Sequence, residues 1–84
     1  MHEKIQEGFD VFLRDGGGNV GAVRAVRVHE IVVYVENAGD FVVPMSSVVD
    51  AESEKDILDS KKLPERMLEA VRVRERAEDP KLAG

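Results

Sequence analysis

The chain contains no cysteine. Disulfide staples, thiolate metal sites and cysteine nucleophiles are thereby excluded, and a reducing cytoplasm is the expected location. No stretch approaches the roughly 18 apolar residues that a membrane-spanning helix needs, and Met1-His2-Glu3-Lys4-Ile5-Gln6-Glu7 carries no apolar signal core, so neither membrane insertion nor export is expected. An excess of positive charge is also lacking. The formal net charge is -5, which repels a polyanion on average and disfavours nucleic acid as a partner.

What is present points to one small, water-soluble globule. A chain of 84 residues makes a single domain, and at this size folding buries only about 60% of the surface that the unfolded chain exposes. Hydrophobic residues make up 43% and charged residues 35%, too apolar for a disordered chain and too charged for a membrane protein. Valine is the commonest residue, and its branched β-carbon suits a pleated, half-buried surface better than the crowded face of a helix.

Residues 8–59 are valine-rich with short polar interruptions, whereas 60–84 carry dense mixed charge. In the first region, Phe9 to Leu13 reads as a strand with Phe9, Val11 and Leu13 on one face and Phe12 on the other. Asp15-Gly16-Gly17-Gly18-Asn19 then forms a loop. Val20 to Val28 is a second strand whose valines break parity, since Val20, Val26 and Val28 share a face that Val23 does not; a bulge near Arg24 and Ala25 reconciles them. Ile31 to Glu36 is a third strand, Asn37 to Asp40 a turn, and Phe41 to Pro44 a fourth strand that proline ends. Met45 to Val49 reads as a helical turn or corner that drops Val48 into the core, and Lys55 to Leu58 as a brief fifth strand with Ile57 inward. Short strands at this spacing, in so short a chain, favour a small SH3-like antiparallel β-barrel of about five strands, whose closure removes most exposed edges.

From Leu63 the period changes. Leu63, Met67, Ala70 and Val71, with Leu68 beside them, follow helical spacing, Pro64 suits a first turn, and Asp79-Pro80 ends the helix. Glu69 with Arg72 and Arg74 with Glu78 are spaced to pair on the helix surface. The domain therefore reads as a β-barrel over 1–60, a helix over 61–79 belonging to it, and a tail over 80–84. Val71 and Val73 point about 200° apart on a helix, so one barrel does not easily cover both, and one of them is a candidate contact with a second chain.

The ordered run Ile5-Gln6-Glu7-Gly8, Val11, Asp15-Gly16, Val20-Gly21-Ala22-Val23 and Val26, followed by Ile31-Val32-Val33 and Phe41-Val42-Val43-Pro44-Met45-Ser46-Ser47-Val48, resembles the PRC-barrel pattern over about residues 5–60. The departures are the lengthened Gly16-Gly17-Gly18 loop and the long helix after Ser60. That family includes the cytoplasmic part of the photosynthetic reaction-centre H subunit and the C-terminal domain of a ribosome-maturation factor. The resemblance implies a binding or assembly module and supplies no catalytic residues.

The constellations that could carry chemistry favour plainer readings. His2-Glu3 and His29-Glu30 pair imidazole with carboxylate, but zinc needs a convergent third ligand. Asp50-x-Glu52-x-Glu54 imitates a calcium loop, yet Lys55 stands where the turn glycine belongs and Lys61 where the bidentate glutamate belongs, leaving a solvated acidic loop. Gly16-Gly17-Gly18 lacks Walker spacing and a following helix, and Ser46 and Ser47 have no histidine base nearby in sequence. Arg24 and Arg27, with Arg14, form a candidate basic spot for an acidic partner, while Arg72, Arg74 and Arg76 spread around their helix.

The expectation is a non-catalytic protein-interaction or assembly module with no cofactor or metal. Its candidate contact residues are Arg24, Arg27, Val71 and Val73, and a homodimer through the helix or a barrel edge is the subsidiary expectation. The alternative is an RNA- or ribosome-associated SH3-like barrel; a small-ligand or metal-binding protein ranks below it.

Overall fold

The computed structural model describes residues 4–78, with side chains through residue 73. Strands β1 (Asp10–Leu13), β2 (Gly21–Val26), β3 (Glu30–Val35) and β4 (Gly39–Pro44) follow one another, and a 3₁₀ turn (Met45–Ser47) leads into β5 (Val48–Glu52) and β6 (Lys55–Leu58). A second 3₁₀ turn (Ser60–Lys62) precedes helix α1 (Glu65–Glu78). The chain is thus mainly β with a C-terminal helix, as its valines and its change of period indicate.

The strands form one six-stranded sheet in the order β4-β3-β2-β1-β6-β5. Three expectations are corrected here. Among the described residues the strands number six, because residues 48–52, assigned in part to a corner and in part to an acidic loop, form β5 and pair antiparallel with β6. The sheet is not wholly antiparallel, since β1 and β6 run parallel in the register Val11↔Asp56 and Leu13↔Leu58. Among the described residues no ladder joins β4 to β5, so the sheet is not closed by hydrogen bonds and β4 and β5 are its outer strands.

Those edges nonetheless lie close in sequence, separated only by Met45–Ser47. A flat six-stranded sheet would hold its outer strands about 24 Å apart, whereas the step from Pro44 to Val48 reaches at most about 14 Å. The sheet must therefore curl at this end. The turn is fixed by Ser47, which is fully buried and donates its hydroxyl to the Pro44 carbonyl at 2.6 Å. Val48, expected to fill the core, packs only partly buried against it.

Side-chain alternation sorts the sheet into two faces. The concave side gathers Phe9, Val11, Val20, Val23, Ile31, Val33, Val35, Phe41, Val43 and Leu58, and the helix adds Leu63, Met67 and Val71. In β2 the register shifts between Val23 and Ala25, leaving Arg24 as the bulged residue, as the broken valine parity requires. The strand spans only Gly21–Val26, and of the three valines expected to share a face Val20 is buried ahead of it while Val26 and Val28 are exposed. In β6 the inward residues are Asp56 and Leu58, and Ile57 is only half-buried. Pairing with Val11 sets this phase, so the expectation of an inward Ile57 was one residue out of step. The helix starts at Glu65, and the Pro64 carbonyl accepts from the Leu68 N–H at 3.1 Å, so proline sits just ahead of the first turn.

Candidate interaction surface

The β3–β4 ladder decides what the outer side of the sheet displays. The Met45 N–H donates to the His29 carbonyl at 2.8 Å in the same register as Ile31↔Val43 and Phe41↔Val33. Hydrogen-bonded pairs alternate with non-bonded ones in an antiparallel ladder. Val42↔Val32 and Asp40↔Tyr34 are therefore non-bonded pairs, and the backbone N–H and C=O of Asp40 and Val42 point away from β3 toward the open edge.

Outward-facing side chains then fall into rows. The pairs Ala25↔Val32 and Val32↔Val42 line up Ala25, Val32 and Val42 across three strands. Val32 is only 7% exposed although it stands outside the core cluster, whereas Val42 is 49% exposed. A second row places Asp10, Ala22, Tyr34 and Asp40 side by side. The bulge sets Arg24 over this row, its guanidinium 4.7 Å from the Tyr34 ring centroid and its Nε 2.8 Å from Asp40 Oδ1. On the other side of the apolar row, Arg27 Nη1 meets Glu30 Oε2 at 2.7 Å.

The candidate basic spot is thus divided. Arg24 and Arg27 each hold a carboxylate, and Arg14 approaches Asp59 at 4.0 Å. Three arginines that look like a cationic cluster in sequence become separate, locally neutral pairs, which leaves little net field for a phosphate backbone. Tyr34, Asp40, Val32 and Val42 are the residues that sequence reasoning did not single out; the alternation of β3 and β4 was the signal available for the two valines.

The two helix valines separate as their spacing requires. Val71 is 3% exposed and joins the core, while Val73 is 56% exposed. Arg66 reaches over the Phe41 ring at 5.2 Å, fastening the helix near β4. Glu69 and Arg72 pair at 3.9 Å, as their spacing indicates; the side chains of Arg74, Arg76 and Glu78 lie outside the described residues.

An open groove of about 250 Å³ lies beside Tyr34, lined by Asp10, Asn19, Gly21, Ala22 and Glu36 as well. Its polar groups are carboxylates, an amide and a phenol, with Asn19 Oδ1 already accepting from the Gly21 N–H at 2.8 Å. His29 is exposed, and His2 and Glu3 lie outside the described residues. Among the described residues no three His, Asp or Glu side chains converge as metal ligands, and no helix is long and apolar enough to cross a membrane. Asp50, Glu52 and Glu54, expected to share a loop, are split between β5 and the turn after it. No family model matches the chain, and no curated protein or solved structure gives a significant match.

Proposed function

We propose that this chain is a non-catalytic protein-interaction module of the cytoplasm, built as a small SH3-like barrel of PRC type. The sharp curl that the Met45–Ser47 turn imposes between the two sheet edges supports the barrel. The observation that carries the function is the outer row Ala25–Val32–Val42, in which half-buried Ala25 and half-exposed Val42 stand on either side of an almost covered Val32, flanked by the Arg24–Asp40 and Arg27–Glu30 pairs. An apolar centre within a polar rim is the usual anatomy of a protein docking surface, and self-compensated charges at the rim set orientation without attracting polyanions.

The test is affinity capture with the intact chain and with an Ala25→Glu variant, which places a charge in the strip on a strand remote from the sheet edge. A specific protein retained by the wild type and lost by the variant is the expected outcome. Failure of the wild type to retain any specific protein, or equal retention by the variant, rejects the reading.

A further inference from the structure

The two sheet edges are not equivalent. Natural edge strands are shielded from pairing by bulges and by charged side chains. The β5 edge has both, with a register shift between Val48 and Asp50 and the carboxylates of Asp50 and Glu52 along the strand. A second copy brought against it would meet the irregular backbone and the exposed Glu52 carboxylate. The β4 edge has neither device in its first half. Its register with β3 is unbroken from Gly39 to Pro44, its one charged side chain, Asp40, is neutralised by Arg24 at 2.8 Å, and Val42 is 49% exposed. Pro44, which offers no N–H, guards only the far end.

We infer that β4 pairs antiparallel with β4 of a second copy across a two-fold axis at Phe41, making the module a homodimer. The inference rests on the interaction-module reading and adds to its docking strip a self-contact at the sheet edge. In that register Asp40 of one copy lies opposite Val42 of the other. Their N–H and C=O groups are those that β3 leaves unused, so these two residues satisfy each other across the dyad. A dyad at Val42 would instead set Asp40 against Pro44, whose missing N–H breaks the ladder. The symmetric register at Phe41 also joins the two outer rows, because Val42 of each copy then lies beside the Arg24–Asp40 pair of the other. An unrelated strand would share the hydrogen bonds but not this reciprocal match, which is the mark of an isologous contact.

Val42 provides a selective test, because its N–H makes no bond to β3. A Val42→Pro substitution removes one edge donor while sparing the β3–β4 ladder, as Pro44 already does two residues on. Sedimentation of the full chain from about 10 μM to about 1 mM should show a concentration-dependent dimer for the wild type. Val42→Pro should weaken dimerisation at least about tenfold with an unchanged far-UV spectrum. If Val42→Pro does not fold, Val42→Asp, which keeps the N–H but sets a carboxylate opposite Asp40 of the other copy, is expected to give the same loss. A Val73→Asp variant should dimerise like the wild type. A wild type that stays monomeric, a folded Val42 variant that still dimerises, or loss of the dimer in Val73→Asp overturns the inference. A monomer that still captures a partner through the Ala25 strip leaves the broader reading standing, so the two failures are distinguishable.

Discussion

Replacing Gly21 by alanine drives a methyl group into the neighbouring strand. A β-carbon at this position would collide with the Tyr34 carbonyl oxygen, lie 3.1 Å from the Tyr34 carbonyl carbon and stand 3.4 Å from Val33 Cγ1. The obstacle is the backbone of β3 within its own ladder, so no side-chain rotation relieves it. Strand β2 has to move away from β3, straining the Ala22↔Tyr34 and Val23↔Val33 pairs and the bond from the Gly21 N–H to Asn19. Overpacking of this kind costs about 1–3 kcal/mol. A domain of this size loses about 4–8 °C of melting temperature per kcal/mol, so a fall on the order of 10 °C is expected. Gly18→Ala is the matched comparison, since a β-carbon there meets nothing within 4 Å. It should be neutral or stabilise by up to about 1 kcal/mol through the unfolded chain. Thermal and urea unfolding followed by circular dichroism measure both. A Gly21→Ala protein that melts within about 2 °C of the wild type refutes the close β2–β3 approach.

Two further substitutions probe features of the same fold. Ser53 and Glu54, between β5 and β6, both have positive φ, 53° and 63°, without the glycine or asparagine that such a turn favours. Glu54→Gly should therefore raise stability by about 0.5–1 kcal/mol, read as a higher urea midpoint at unchanged slope; a lower midpoint contradicts the turn geometry. Val71→Ala should cost about 2 kcal/mol in the same assay, whereas Val73→Ala should stay within about 0.5 kcal/mol of the wild type, because only Val71 is buried. Equal effects would mean that the helix is docked by a different face.

Local pattern made the first half of the sheet readable. Strands β1 to β4 are short runs rich in β-branched and aromatic residues between glycine, asparagine and proline punctuation, and the broken valine parity around Arg24 marks the bulge. Strand β5 stayed hidden because its hairpin turn is Ser53-Glu54, which carries no turn signal in sequence, and because Asp50 and Glu52 make the strand look like solvated loop. The parallel β1–β6 pair depends on residues more than forty positions apart, which no short window can register, and it is this pair that turns Asp56 inward and Ile57 outward. The surface followed the same division. Arg24 and Arg27 were visible as charges, but whether they form a cationic spot depends on their neighbours. Glu30, three residues from Arg27, was within reach of local reasoning; Asp40 meets Arg24 only through the register of three strands. Val42 looked like an ordinary strand residue until the hydrogen-bonding phase of β4 showed its backbone facing an open edge.

Residue-resolved amide hydrogen exchange along β4, recorded at low and high protein concentration, tests that edge most directly. Phe41 and Val43 donate to β3 and should be protected at both concentrations, while Asp40 and Val42 should exchange quickly in dilute solution and become protected as copies pair. Protection of Asp40 and Val42 that is independent of concentration, or fast exchange at every concentration, would contradict the account.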